Sequence, residues 1–348
     1  MRRLPVFFVL DVSESMIGDN LKNMEEGMQR IMQTLRTDPY ALETVHMSVI
    51  AFAGMARTLV PLLEVASFYP PRLPVGSGTA LGAALRHLMQ ELDRQVITST
   101  PDRKGDWKPI IYLLTDGKPT DQVDEAIRTW HDRYARRAQL VAIAIGRYAD
   151  LSVLKRLTDS VLVFEQSNSG DFAKFIQWMS ASVLSQSRAV GQEGGITLAK
   201  TDNALLTLVK DITSSDGVPD QDCVVLVGRC RRTRHPYLMK YERVSPNFEI
   251  EGITLSTPHF AVAGCYPISE DYFEWSAPEP EGLVVSTEVL LGVPGCPNCG
   301  ATSAFGRCHC GGLFCLSGDG EVVCPWCGQS VLFLPGGGED FDVQRGRG

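Results

Sequence analysis

The chain has 348 residues, 44% hydrophobic and 21% charged, with a formal net charge of -8. That is the balance of a globular protein with room for two or three domains, and its acidic excess argues against a surface built to track nucleic acid. No apolar run approaches the roughly 20 residues a membrane-spanning helix needs.

In chain order, the first apolar run, Val6–Leu10, is cut off by Asp11. It is shorter than the ~7–15 residues of a secretion-signal core and has no small-residue cleavage site, so it reads as a buried strand. Further near-continuous apolar runs at Val45–Phe52, Ile110–Leu114, Leu140–Ile145 and Val161–Phe164 read as strands covered on both faces. Thr58–Val65 reads as an antiparallel edge strand. Helical periodicity fills the intervals at about 21–35, 79–96, 121–138 and 171–185, most clearly in Leu81, Leu85, Leu88 and Leu92. This alternation predicts an α/β domain over residues 1–190: a mostly parallel, Rossmann-like sheet with helices on both faces and ligands at the carboxyl ends of its strands.

Gly191-Gln192-Glu193-Gly194-Gly195 and Ser214 to Pro219 mark residues 191–217 as a linker, with an ambiguous stretch near Ala204–Ile212. Strand signals at Cys223–Val227, Tyr237–Val244 and Phe260–Tyr266 predict a smaller β-rich domain over 218–335. The glycine-rich residues 336–348 read as a disordered tail.

Two groups of residues carry chemistry. Asp11-Val12-Ser13-Glu14-Ser15 follows the first strand, Thr79 opens the long helix after Gly76-Ser77-Gly78, and Asp116 follows the strand at 110–114. All three loops belong at the ligand-binding edge of the sheet. Mg²⁺ takes six oxygens in near-octahedral geometry. The hydroxyls of Ser13, Ser15 and Thr79 are candidate direct ligands, with Asp11 and Asp116 orienting bound waters. A site rich in neutral hydroxyls leaves the cation under-neutralised and favours a carboxylate from another molecule.

The second group is cysteine. Seven of the ten fall between Cys296 and Cys327: Cys296, Cys299, Cys308, Cys310, Cys315, Cys324 and Cys327. Cys296-Pro297-Asn298-Cys299-Gly300 and Cys324-Pro325-Trp326-Cys327-Gly328 have the spacing of zinc knuckles, and the absence of a βαβ context argues against a redox Cys-x-x-Cys. One zinc could take Cys296, Cys299, Cys324 and Cys327. Two zincs use all seven thiols and an eighth ligand: His309, His235, His259 or Cys265. Two are favoured, because three thiols beside a soft metal do not stay idle; the pairing is not legible. Cys223, Cys230 and Cys265 read as core.

Asp11-x-Ser13-x-Ser15, Thr79 and Thr115-Asp116-Gly117 resemble the metal-ion-dependent adhesion site (MIDAS) of von Willebrand factor A (vWA) domains. The resemblance implies a domain that binds Mg²⁺ or Mn²⁺ and an Asp or Glu of a protein partner, without catalysis. A vWA domain joined to Cys-Pro-x-Cys-Gly, Cys-x-Cys-Gly and Cys-Pro-Trp-Cys-Gly resembles the TerY family of bacterial tellurite-resistance and stress systems. It implies a zinc-ribbon-like TerY-C domain and, as partners, a protein kinase and a PP2C-type phosphatase; the expected location, cytoplasmic, follows instead from the lack of a secretion signal and the reduced thiols it predicts.

Two other functions compete. A Mg²⁺-dependent phosphoester or phosphoryl enzyme lacks an evident base in the motifs, and Gly76-Ser77-Gly78 with Gly82 lacks phosphate-loop spacing. Nucleic-acid binding would use Arg229, Arg231, Arg232, Arg234, Lys240 and Arg243 with Tyr237 and Tyr241, residues that also suit a solvated hairpin or an acidic protein partner.

Overall fold

In the computed structural model, the residues described are 2–102, 104–116, 118–145, 151–164, 169–189, 206–208, 222–244, 248–250, 253–255, 259–277, 284–318, 320–333 and 341–346. Contacts divide the chain into two compact units: one of Met1–Val12, Asp19–Leu73 and Thr79–Gly217, the other of Ser13–Gly18, Pro74–Gly78 and Val218–Gly348.

The first unit is built on β1 (Leu4–Asp11), α1 (Asp19–Arg36), α2 (Pro39–Thr44), β2 (Val45–Phe52), β3 (Ala56–Glu64), α3 (Leu81–Gln95), β4 (Ile110–Thr115), α4 (Asp124–Thr129), β5 (Gln139–Ile145), α5 (Leu151–Leu157), β6 (Val161–Phe164), α6 (Ser169–Ala189) and β7 (Leu206–Leu208). Its sheet runs β3-β2-β1-β4-β5-β6-β7. β1, β2, β4, β5 and β6 are parallel, while β3 and β7 pair antiparallel at the edges. Every residue of β1 and β4 is buried, as parallel strands covered on both faces require. Phe7 and Val9 pack with Leu81, Leu85, Leu88 and Leu92 of α3 in one cluster. α1 packs with α6 and turns Met24, Met28, Ile31 and Leu35 inward at helical spacing.

The order matters for function. From β1 the chain builds outward through β2 and β3, and with β4 it returns to the other side of β1. The switch point therefore lies between β1 and β4, where open α/β sheets bind ligands beyond the strands' carboxyl ends.

The second unit contains β8 (Cys223–Arg229), β9 (Pro236–Arg243), β10 (Phe248–Ile250), β11 (Ile253–Leu255), β12 (Phe260–Pro267), α7 (Asp271–Trp275), β13 (Val284–Ser286), β14 (Leu290–Leu291), β15 (Ser303–Arg307), β16 (Leu313–Leu316), β17 (Gly320–Val323), β18 (Ser330–Phe333) and β19 (Asp342–Gln344). Its main sheet runs β14-β12-β9-β8-β16-β15, beside the short pairs β10-β11, β13-β19 and β17-β18. Segments 13–18 and 74–78 belong to this unit's packing. Ile17 and Val75 join Val225, Leu238, Ile268 and Tyr272 in one apolar cluster.

Three expectations are corrected. Residues 336–348 are not wholly a tail: β19 pairs with β13, Val343 is buried, and the amide of Gly346 donates to the Val225 carbonyl at 2.8 Å. One apolar residue placed inward on a paired strand outweighs the surrounding glycines. Strand β7 lies inside the expected linker 191–217, completing the edge beside β6; the glycine-rich start of that linker and Ser214–Pro219 lie outside the described residues. The helix expected from Thr79 begins at Leu81, and the one expected over 121–138 divides into α4 and a π-helical turn at Trp130–Tyr134.

Candidate metal centres

Asp11 is the last residue of β1 and Thr115 the last of β4, on adjacent strands whose register matches Leu10 to Leu114. The Thr115 hydroxyl donates to Asp11 Oδ2 at 2.6 Å, and both residues are fully buried. Asp116 follows directly, and its Oδ1 accepts from the Lys118 amide at 3.3 Å. Thr79 is tied to the same loop: its amide donates to Thr120 Oγ1 at 2.9 Å, and the Thr120 amide returns a bond to its carbonyl at 2.9 Å.

Thr79 is not the N-cap of α3: Ala80 holds that position and makes no capping bond of its own. The carboxylate of Asp121 takes the first free amides of the helix, those of Gly82 and Ala83, both at 2.8 Å. Position 82 has to be glycine: an added Cβ would lie 2.3 Å from the Gln122 carbonyl oxygen.

Ser13 and Ser15, the remaining expected Mg²⁺ ligands, have hydroxyl oxygens 3.1 Å apart. Their segment is fixed within the second unit. Ser13 forms a bridge with Gly76, and Lys240 Nζ donates to the Ser15 carbonyl at 2.9 Å. Between the serines lies Glu14, fully buried, whose carboxylate accepts from Ser77 Oγ at 3.0 Å and from the Tyr272 hydroxyl. Burial, followed by the Glu14 charge, pushes the Tyr272 phenol far above its ordinary value, so it stays a donor. Glu14, Tyr272 and Lys240 supplied no sequence signal for these contacts, since their partners are distant in the chain.

The cysteines form two quartets. Cys230, Cys296, Cys299 and Cys315 make one; Cys308, Cys310, Cys324 and Cys327 make the other; within each, all sulfurs lie within 4.8 Å of one another. Individual separations are 3.7 Å for Cys299–Cys315, 3.6 Å for Cys308–Cys327 and 3.8 Å for Cys310–Cys324. A tetrahedron with Zn–S bonds of about 2.3 Å has edges of about 3.8 Å, so these spacings fit a zinc ion in each quartet. None of the ten cysteines forms a disulfide.

The eighth ligand position is thus corrected. Cys230, read as core, completes the first quartet. His309 and His235 are exposed, and neither they, His259 nor Cys265 joins a quartet. The knuckle pairs also part company: Cys296 and Cys299 go with Cys230 and Cys315, not with Cys324 and Cys327. Topology is the reason. Cys230 leaves β8 and Cys315 lies on β16, which pairs parallel beside β8, so their sulfurs stand 3.9 Å apart. The legible signals were an odd count of seven and a cysteine at the mouth of a hairpin.

Backbone amides face the sulfurs: Thr233 N–H toward Cys230 at 3.4 Å, Arg231 N–H toward Cys315 at 3.3 Å, and Trp326 N–H toward Cys324 at 3.4 Å. Burial pushes the Cys230 thiol up, but donors at Thr233 outweigh it and hold it below its ordinary value. The Gln329 amide does the same for Cys327. Gly300 and Gly328 close the knuckles at φ +73 and +77, where a side chain would be strained.

Within the basic stretch at 229–243, Tyr237 and Tyr241 are buried. Arg229 pairs with Glu270 at 2.7 Å and lies over the Trp326 ring, and Lys240 pairs with Glu242 at 3.3 Å.

A mostly parallel sheet has Asp-x-Ser-x-Ser starting at the end of β1 and Thr-Asp at the end of β4, and the family model of the von Willebrand factor type A domain matches residues 6–178. A model of the TerY-C metal binding domain matches residues 220–348. With both domains in this order, the chain belongs to the TerY family. Such domains are generally metal-binding or interaction modules.

Among curated proteins, the chain is 27% identical over 155 residues to inter-alpha-trypsin inhibitor heavy chain H1 of Bos taurus, covering 43% of this chain but only 17% of that protein. Among solved structures it is similar to the ArnB paralog VWA2 of Sulfolobus acidocaldarius (13% identity, TM-score 0.40, covering 77% of this chain and 66% of that one). It is also similar to proximal thread matrix protein 1 of the mussel byssus with a zinc-occupied MIDAS motif (16% identity, TM-score 0.39, 53% and 48%). Among the described residues, no helix is long and apolar enough to cross a membrane.

Proposed function

We propose that the chain is a non-catalytic scaffold that grips an acidic side chain of a protein partner through Mg²⁺ (or Mn²⁺). Asp11, Ser13, Ser15, Thr79 and Asp116 would hold the ion, and two zinc ions would stabilise the C-terminal domain. The observation that carries this reading is the meeting of Asp11 with Thr115-Asp116 at the switch point of a parallel sheet. The expected ligands are all oxygens, which suits a hard divalent cation, and hydroxyls among them leave charge for an incoming carboxylate to neutralise. Neither motif offers a histidine or lysine as a base, which favours binding over catalysis.

The partners proposed from the TerY resemblance are a protein kinase and a PP2C-type phosphatase, in a bacterial stress, tellurite-resistance or phosphorylation-signalling system. The cytoplasm is the compartment proposed, since it keeps thiols reduced. The test is binding of purified kinase and phosphatase candidates with Mg²⁺ and with EDTA. Affinity should fall at least tenfold with the chelator, and Asp116→Ala should remove the Mg²⁺-dependent gain without lowering the melting temperature. Equal affinity in both buffers overturns the reading.

A further inference from the structure

The two cysteine quartets differ in what surrounds them. In the first, Cys230, Cys296 and Cys315 are buried and Cys299 is half-buried; in the second, Cys310 and Cys327 are exposed. The first belongs to the main core of its unit, with Val224, Leu226, Tyr237 and Tyr241. The second packs in a small satellite of Phe314, Val322 and Val331, and its knuckle is the turn of the lone β17-β18 hairpin. Oxidants reach thiolates according to exposure.

We infer that the quartet of Cys308, Cys310, Cys324 and Cys327 is an oxidation site at which a peroxide discharges one zinc and frees the β17-β18 hairpin, while the buried quartet keeps its metal. The inference rests on the zinc reading above. The exposed Cys327 thiolate attacks a peroxide oxygen, the O–O bond breaks, and a sulfenic acid forms with loss of hydroxide. The Cys308 thiolate, 3.6 Å away, then attacks that sulfur, forming the disulfide and expelling a second hydroxide. Two thiolates are oxidised by two electrons and one peroxide is reduced. Zinc loses two of its four ligands. Cys310 and Cys324, 3.8 Å apart, offer a second pair for the same step.

The structural consequence is local. Besides the ligands a zinc ion would tie together, the hairpin meets its surroundings through the Trp326 indole N–H on the Leu313 carbonyl at 2.7 Å, Arg229 and Phe273 against the Trp326 ring, the Arg234 guanidinium on the Pro325 carbonyl at 3.4 Å, and Phe333 edge-on to Phe314. Cys230 and Cys315 sit instead just past β8 and on β16, neighbouring strands of the main sheet.

The test uses the full chain purified with its zinc. Hydrogen peroxide is added while a chromophoric chelator reports free zinc, and peptide mapping follows the disulfides. One zinc per chain should leave at least about tenfold faster than the other, with disulfides confined to Cys308, Cys310, Cys324 and Cys327. A dithiol and added zinc should restore the starting state. Release of both ions in one phase, or early disulfides among Cys230, Cys296, Cys299 and Cys315, overturns the inference. Zinc content before oxidant tests the metal reading separately: fewer than two ions per chain overturns that reading and this one together.

Discussion

Cys230 shows what one residue decides. Its sulfur completes a quartet whose other members arrive from a knuckle and a neighbouring strand. Cys230→Ala should therefore lower the zinc content from two ions per chain to one, measured by elemental analysis, whereas His309→Ala should leave it at two. Glu14 is a second case. A buried carboxylate must be paid for by donors, and Ser77 and Tyr272 supply them. Tyr272→Phe removes a hydrogen bond to a charged group and should cost about 1.5–3 kcal/mol in urea unfolding. An unchanged midpoint would mean that Glu14 is neutral or otherwise satisfied.

Elements follow from local chemistry that is partly visible in the sequence. The apolar runs of β1, β2, β4, β5 and β6 were legible because both faces of a parallel strand are covered, and their ends came out within a residue or two. Helix α2 went unread, although Asp38-Pro39 is a start signal: Asp38 Oδ1 accepts from the Ala41 amide at 3.0 Å and Pro39 fills the first turn.

Asp38 also makes a testable pH dependence. The Arg188 guanidinium beside it, assisted by the Ala41 amide, holds its carboxyl below the usual carboxylate value of 3.8. A lowered folded-state pKa means that the contribution is complete above that value and fades as pH falls below it towards the folded value. Arg188→Met should therefore lose stability at pH 6 and show a shallower fall between pH 4 and 3 than the parent, read from urea midpoints. Parallel curves for the two proteins would contradict the assignment. At the start of α3, Gly82→Ala should destabilise despite alanine's better helix propensity, because its Cβ meets the Gln122 carbonyl; a gain in melting temperature would show that the 121–122 loop yields.

At the scale of the whole molecule, Asp11, Thr79 and Asp116 were legible as a constellation because strand order fixes which loops share an edge. Asp-x-Ser-x-Ser, Thr and Thr-Asp each fall just past a strand or just before a helix. The partners of the cysteines were not legible, since sulfur pairing depends on β16 lying parallel to β8, a long-range fact with no local trace. The seating of 13–18 and 74–78 in the second unit was equally silent, resting on apolar contacts of Ile17 and Val75 that any core would offer. The tail strand β19 was hidden because a single inward valine does not announce itself among glycines.

The central claim is that oxygens from three loops share one hard cation. Calorimetric titration of Mg²⁺ into the purified full chain, beside its Asp116→Ala and Thr79→Ala variants, tests it without reference to any partner. One Mg²⁺ should bind per chain in the parent, and affinity should fall at least about tenfold in each variant while their melting temperatures stay near the parent's. Binding of equal strength in all three proteins, or none in the parent, would contradict the account.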